Sequence, residues 1–289
     1  MRVGFVGIGI MGWPMAANVL KAGHDVTVYD TDADRSARFA AEHGAKQATQ
    51  PAQLASVEAV ITMLPNGHIV REVYTELGPH LQPGTVAIDM SSSDPTGTRS
   101  LGQTLARSGI VLLDAPVSGT VTRAQPGTLT IMIGGDDRSA IERVKPLLGS
   151  MGNRLFETGS LGSGHAMKAL NNFVAAAGFA AAAEALLAGQ RFGLDAARML
   201  EIMNVSTGRN FNTEVVMPEH VVGRKFASGF TLGLLAKDVR IAADLAAATD
   251  LDAPLTRLVA ERYALAQGKL GGARDNTEAI LSWDNSLPK

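Results

Sequence analysis

A glycine-rich turn, Gly7-Ile8-Gly9-Ile10-Met11-Gly12, follows the apolar run Val3-Gly4-Phe5-Val6 and precedes a helical pattern that opens near Pro14. No other feature constrains the fold as strongly. In a strand–turn–helix unit the first glycine makes the tight turn and the second lets backbone approach a pyrophosphate. The third allows the helix to pack closely on the strand. Phosphates would then face the free N–H groups at the helix N-terminus. Pro14 suits that first turn, where its missing N–H costs nothing. A glycine-rich turn can also be only a turn, so its setting has to carry the argument.

That setting is a long alternation. Strands are expected at 2–6, 25–29, 59–64, 85–89, 111–114 and 128–133, with helices at 14–22, 33–43 and 96–108 between them. Strands alternating with helices imply βαβ units and a parallel sheet. Val, Ile and Leu crowd the strands without polar alternation, as they do when helices cover both faces. After residue 162 the pattern changes to helices, expected at 166–191, 195–204, 232–248 and 254–267, with no strand. The glycines at 162 and 164 punctuate the change. The fold class expected is therefore a doubly wound, mostly parallel α/β domain over 1–162, followed by an all-α domain over 163–289 joined through a long helix. A chain of 289 residues accommodates two domains of roughly 150 residues each.

Composition narrows the function classes. With 26 basic against 28 acidic residues there is no electrostatic reason to expect nucleic acid or a membrane surface as partner. The absence of cysteine excludes disulfides, a thiol nucleophile and thiolate metal sites. The six histidines show no HxxxH or HxH spacing, so no metal is expected. The chain enters its first strand directly after Met1-Arg2, and the apolar stretch 173–183 is too short to span a bilayer. A cytoplasmic location is the expectation.

The second strand ends Val26-Thr27-Val28-Tyr29-Asp30, which puts Asp30 eighteen residues beyond Gly12. An acidic side chain there accepts hydrogen bonds from ribose hydroxyls and repels a 2′-phosphate. Arg35 is the nearest arginine downstream, and none follows immediately to grip such a phosphate. NAD is favoured over NADP as cofactor.

With these residues in view, the stretch from Phe5 to Leu20 resembles the β-hydroxyacid dehydrogenase family, which includes 3-hydroxyisobutyrate dehydrogenase and tartronate semialdehyde reductase. The resemblance continues through Met63-Leu64-Pro65-Asn66, Asp89-Met90-Ser91-Ser92, and Asp114-Ala115-Pro116-Val117-Ser118-Gly119 with Gly127-Thr128-Leu129. It extends further to Gly162-Ser163-Gly164-His165-Ala166-Met167-Lys168-Ala169-Leu170-Asn171-Asn172 and to Lys237-Asp238. The resemblance implies an N-terminal Rossmann domain, an all-helical C-terminal domain, active sites in the cleft between them, and a homodimer or homotetramer. Gly7, Ile8, Gly9, Ile10, Met11, Gly12, Asp30, Leu64, Pro65, Asn66 and Ser92 then become cofactor-binding candidates. Asn66 and Ser92 would touch the nicotinamide ribose side, although turn and cap chemistry also suits both.

Lys168 and Asn172 lie four apart and share one helix face. A lysine serves as general acid or base when burial or a second cation lowers its pKa toward neutrality. Asn172 offers both a donor and an acceptor to a substrate hydroxyl. By the resemblance these two are catalytic, and Ser118, Gly119, Thr120 and Lys237 bind substrate, with Lys237 also near the cofactor. A hydroxyl beside bare backbone N–H groups can receive a carboxylate. Thr120 stands where the family usually has a glycine or another small residue, which narrows or polarises the pocket. Arg123 could grip a second anionic group or be an exposed surface arginine. His165 has no charged partner apparent nearby in sequence and reads as structural.

The expected activity is reversible NAD-linked oxidation of a small 3-hydroxy acid to its semialdehyde, resembling 3-hydroxyisobutyrate or the glycerate–tartronate semialdehyde couple. An imine reductase of the same fold is disfavoured by Lys168 and Asp30. The 6-phosphogluconate dehydrogenases carry a much longer helical domain. A non-catalytic cofactor-binding scaffold remains the alternative of a different class.

Overall fold

The fold is taken from a computed structural model, which describes residues 1–284. Positions 285–289 at the end of the expected helical domain lie outside the described residues. The chain forms two compact units, Met1–Lys168 and Ala169–Lys289.

The first unit runs β1 (Arg2–Val6), α1 (Gly12–Lys21), β2 (Asp25–Tyr29), α2 (Ala33–His43), β3 (Lys46–Gln47), β4 (Ala59–Thr62), α3 (Gly67–Leu77), β5 (Val86–Asp89), α4 (Pro95–Ala106) and β6 (Val111–Asp114). It continues through β7 (Val117–Ser118), α5 (Val121–Ala124), β8 (Leu129–Gly134), α6 (Arg138–Gly149) and β9 (Gly152–Gly159) into the first residues of α7 (Ser163–Phe192). The sheet order is β3-β2-β1-β4-β5-β6-β8-β7, with β9 paired to β8. β1 through β6 pair in parallel, as do β8 and β9, whereas β8 meets both β6 and β7 antiparallel. The architecture is the expected parallel-dominated Rossmann domain, with one antiparallel strand set beyond β6.

Alternation along each strand explains why both faces are covered. Val3, Phe5, Ala59, Ile61, Val86 and Ile88 point into one apolar layer. Their neighbours Val6, Val60, Ala87 and Leu112 point into a second, packed against Leu54, Tyr74, Leu77, Leu101 and Leu105. A strand with apolar side chains on both faces stays ordered only between two helix layers. Each Leu, Val, Ile or Phe buried this way contributes about 1.5–3 kcal/mol relative to exposure.

Helix starts follow short polar side chains. Asp32, Asn66, Asp94, Asp137 and Asp195 each accept a backbone N–H at the head of the helix that follows. Such capping stabilises a helix by about 0.5–2 kcal/mol. Helices α3 and α6, which hydrophobic spacing alone did not bring out, carry this signal at Asn66 and Asp137. Strand β9 was missed for another reason: Asn153, Arg154, Leu155, Phe156 and Glu157 are exposed, so the strand has no buried apolar run. Its edge position needs none.

The second unit contains the rest of α7, then α8 (Ala196–Asn204), a π-helical segment (Asn212–Val222), α9 (Leu232–Ala248), α10 (Pro254–Leu270) and α11 (Ile280–Trp283). No strand is present among its described residues. α7 is longer than the apolar stretch 173–183, and by length and composition alone it could cross a membrane, with a window of mean hydropathy 1.4. A core helix passes the same test. Ala176, Phe179, Ala183 and Leu186 of α7 are buried against Leu235, Val239, Val259 and Tyr263 of α9 and α10.

Burial raises the phenol pKa of all three tyrosines, and two of them are deeply buried. Tyr74 and Tyr263 are fully shielded, which pushes both phenols far above their ordinary value near 10. An unfolded chain ionises them near pH 10 whereas the folded one does not, so this stabilisation is complete below pH 10 and is lost as pH rises beyond it. In an alkaline titration, tyrosinate absorbance from these two residues should appear only together with loss of the circular dichroism signal. Ionisation of all three tyrosines near pH 10 in folded protein would contradict this packing.

Candidate active site

Parallel strands end at one edge of a sheet, and the sequence motifs fall there. Gly7 follows β1, Asp30 follows β2, Met63-Leu64 follow β4, Met90-Ser91 follow β5 and Ala115 follows β6. This is the edge at which open α/β sheets bind ligands.

The three glycines divide the work expected of them. Gly7 has φ +88°, a conformation that favours glycine, and a Cβ there would collide with the Met63 carbonyl and the Leu64 side chain. A Cβ at Gly12 would collide with the Gly7 carbonyl, so the helix can approach the strand only with glycine at this position. At Gly9 a Cβ would meet nothing within 4 Å. Its bare backbone therefore faces open space, beside an α1 N-terminus that no side chain caps. Ile10 is exposed, Met11 is half-buried, and Ile8 is fully buried in the core. A pyrophosphate fits this arrangement, because it needs close backbone approach at Gly9 and free N–H donors at the head of α1.

Asp30 is tied to the same turn. Its Oδ2 accepts from the Ile8 N–H at 2.9 Å and its Oδ1 from the Asp32 N–H at 2.9 Å. The Arg35 guanidinium lies 3.4 Å from Oδ1. The carboxylate thus braces the glycine turn and lies beside a cation, with its side chain only 7% exposed.

Further along the edge, Asp89 is buried. Its Oδ1 accepts from Thr62 Oγ1 and from the Ser91 N–H, both at 3.0 Å, and its Oδ2 from Ser93 Oγ at 2.6 Å. Ser91 Oγ in turn accepts from the Leu64 N–H at 2.9 Å, joining the β4 and β5 loops. Ser92 is half-buried in this loop and Pro65 is exposed on the other. Asn66 is the N-cap of α3, its Oδ1 accepting from the His68 and Ile69 N–H groups at 3.0 Å. The cap reading of Asn66 thus accounts for its side-chain oxygen.

Asp114, the last residue of β6, has 0% exposure and grips the start of α7. Its Oδ1 accepts from the Gly162 N–H and its Oδ2 from the His165 N–H, each at 2.7 Å. Glycine at 134 and 164 permits this approach, since a Cβ at either would press on the Asp114 carboxylate. His165, with no charged partner nearby in sequence, finds two through the fold. Its buried ring sits between two carboxylates, with Nε2 3.6 Å from Asp89 Oδ2 and Nδ1 3.8 Å from Asp114 Oδ2. Nδ1 is also 2.9 Å from Thr98 Oγ1. These partners are 51 to 76 residues away in sequence, which is why local reading could not find them.

One turn beyond His165 comes Lys168, half-buried, and one turn beyond that Asn172, which is buried. Within the helical unit Asn172 Nδ2 donates to Asp238 Oδ2 at 2.6 Å. Lys237 Nζ is 3.2 Å from Asp238 Oδ1. Asp238, 2% exposed, therefore orients the asparagine amide and neutralises the neighbouring ammonium. Its place beside Lys237 in the sequence carries no signal of Asn172, 66 residues away.

Ser118 lies in the two-residue strand β7, paired with Thr130 of β8, and not in a free loop. The reason is the antiparallel return of the chain along β8. Gly119 has φ +125°, and its open side is filled by the Arg123 and Leu129 side chains. Thr120 precedes α5, and its hydroxyl is 2.8 Å from that of Thr122.

Comparison with known proteins agrees with this fold. Residues 2–159 match the family described as the NAD binding domain of 6-phosphogluconate dehydrogenase. Residues 162–283 match the NAD-binding domain of NADP-dependent 3-hydroxyisobutyrate dehydrogenase. The chain is 34% identical over 288 residues to a 2-(hydroxymethyl)glutarate dehydrogenase of Eubacterium barkeri, covering 98% of this chain and 95% of the relative. It is 36% identical over 278 residues to an NAD-dependent L-serine dehydrogenase of Pseudomonas aeruginosa, covering 91% of both chains. Among solved structures, Mycobacterium tuberculosis 3-hydroxyisobutyrate dehydrogenase with L-serine superposes with a TM-score of 0.89 at 35% identity over 98% of each chain.

The glycine geometry yields a paired test. Gly9→Val should leave stability within about 0.5 kcal/mol, because its side chain enters open space. The same variant should weaken NADH binding at least about tenfold, a cost of about 1.4 kcal/mol. Gly12→Ala should instead destabilise the fold by about 1–3 kcal/mol through overpacking. Urea unfolding and NADH fluorescence titration measure the two effects, and the reverse pattern would contradict the assignment.

Proposed function

We propose that this chain, which belongs to the β-hydroxyacid dehydrogenase family of nicotinamide-dependent oxidoreductases acting on CH–OH groups, oxidises a small 3-hydroxy carboxylic acid to its semialdehyde with NAD. The supporting observation is the pairing of Lys168 and Asn172 on α7, whose first turn Asp114 holds in place. The substrates named for the relatives, 3-hydroxyisobutyrate, L-serine and 2-(hydroxymethyl)glutarate, each carry a hydroxyl on the carbon β to a carboxylate. NAD is preferred in this reading because Asp30 stands at the end of β2 and because one of these relatives is named as NAD-dependent.

Bound nicotinamide supplies the hydride acceptor. Every other part of the task falls to side chains and backbone. Lys168 in its neutral form takes the hydroxyl proton, and in the reverse direction its ammonium returns it. Asn172, oriented by Asp238, hydrogen-bonds the hydroxyl and keeps it beside the lysine. Ser118 Oγ and the backbone of Gly119 and Thr120 receive the carboxylate, and Lys237 offers an N–H donor on the substrate side. Gly7 through Gly12, with Asp30, Leu64, Pro65, Asn66 and Ser92, hold the cofactor. In this reading the Rossmann domain 1–162 carries the cofactor and the helical domain 163–289 contributes substrate and subunit contacts. A homodimer or homotetramer in the cytoplasm is proposed with it. Leu255, Leu258 and Leu265, each more than half exposed on α10, support a subunit contact.

Lys168→Ala should lower kcat by about 10²–10⁴-fold, the usual worth of a positioned acid–base group, with NADH affinity little changed. Lys168→Arg should not restore turnover, because guanidinium stays protonated. Oxidation requires the neutral amine, so its rate should rise with pH through the lysine pKa, whereas reduction requires the ammonium and should fall. Steady-state kinetics in both directions with 3-hydroxyisobutyrate, L-serine, glycerate and 3-hydroxypropionate provide the measurement. Near-normal kcat in Lys168→Ala would remove the lysine from the mechanism.

A further inference from the structure

Between Asp114 and Asp136 the chain carries a single charged residue, Arg123. Its guanidinium forms no ion pair or hydrogen bond among the described residues, whereas many other arginines are paired with carboxylates, Arg35, Arg138, Arg209 and Arg262 among them. No carboxylate of this segment neutralises it. The side chain nevertheless has a defined course. A Cβ built at Gly119 would lie 2.9 Å from both Cβ and Cδ of Arg123, so the arginine stem crosses the bare backbone of Gly119. The guanidinium begins one bond beyond Cδ.

The backbone beneath it is fixed. The Arg123 carbonyl accepts from the Thr128 N–H at 2.9 Å and from Thr128 Oγ1 at 3.3 Å. Asn18 of α1 donates its amide to the Ala124 carbonyl at 2.8 Å, and Ala124 is fully buried. Arg123 therefore projects from a one-turn helix pinned to α1, directly over Gly119, one of the residues read as receiving the carboxylate. Arg123 is exposed, and an unneutralised guanidinium on a fixed backbone is a fork for a planar anion, which it can hold through two parallel N–H donors.

We propose that Arg123 receives a second carboxylate of the substrate, so that the enzyme favours 3-hydroxy acids with two carboxylates over those with one. This rests on the reading of Ser118 and Gly119 as the site of the first carboxylate. Gly119 fits both demands: its φ of +125° turns the chain, and its missing side chain leaves room for the arginine stem.

The test uses the full chain with saturating NADH and two diacids, 2-(hydroxymethyl)succinate and 2-(hydroxymethyl)glutarate, each beside its counterpart with the distal carboxylate converted to an amide. Calorimetric binding should favour at least one diacid over its amide by about tenfold or more. Arg123→Gln should bring that ratio to within about twofold, and Arg123→Lys should retain part of it. A wild-type ratio near one, no binding of either diacid, a ratio unchanged in Arg123→Gln, or a loss of NADH affinity in place of diacid affinity would each overturn the proposal. Turnover of 3-hydroxyisobutyrate with NAD is followed in parallel. Oxidation without diacid discrimination removes the second-anion role and leaves the proposed activity standing. Diacid binding through Arg123 without oxidation of any hydroxy acid does the reverse.

Discussion

The buried carboxylate of Asp114 is the interaction on which the geometry around Lys168 depends. It ends β6 and accepts two backbone N–H groups from the start of α7 at 2.7 Å. Burying an ionised group is costly unless strong hydrogen bonds replace its hydration. Here the positive end of a thirty-residue helix and two of its unsatisfied N–H donors supply that replacement. The glycines at 134 and 164 belong to the same arrangement, because side chains there would push sheet and helix apart. Lys168 follows six residues after Gly162, on a helix whose first turn is set against the sheet.

The same device recurs along the strand ends. Asp30, Asp89 and Asp114 each stand at the end of a parallel strand and turn their oxygens onto backbone N–H groups of their own or a neighbouring segment. Loops that carry functional groups are thereby held in place without extra secondary structure. Preorganisation of this kind lets a site act with little rearrangement. His165 adds a cross-link, standing between Asp89 and Asp114 and touching Thr98. In the helical unit Asp238 plays a comparable part, fixing the amide of Asn172 and lying beside Lys237.

Much of this was legible in the sequence where the physics is local. The apolar runs gave the central strands, and the glycine spacing gave the turn before α1, because both follow from backbone sterics within a few residues. Lys168 and Asn172 could be grouped because helix periodicity alone puts them on one face. Features that depend on distant chain segments were not legible. The partners of His165 come from β5 and β6. The orientation of Asn172 depends on Asp238, 66 residues away. β9 is an exposed edge with no apolar pattern to announce it, and β7 exists only because β8 returns antiparallel beside it. Asn66 reads as a cofactor contact with a cap as the alternative, and the fold engages its oxygen with two N–H groups of α3.

The central claim is that the chain transfers hydride from the hydroxyl-bearing carbon of a 3-hydroxy acid to nicotinamide while its own side chains handle the proton. The most direct measurement is isotopic. Protein is incubated with NAD and 3-hydroxyisobutyrate carrying deuterium on the hydroxymethyl carbon, and the recovered NADH is examined by proton NMR and mass spectrometry. The account predicts one deuterium at the reduced ring position of NADH, none derived from solvent, and a monodeuterated semialdehyde as the other product. Reduced cofactor carrying only solvent hydrogen, or no reduced cofactor with any 3-hydroxy acid tested, would contradict it.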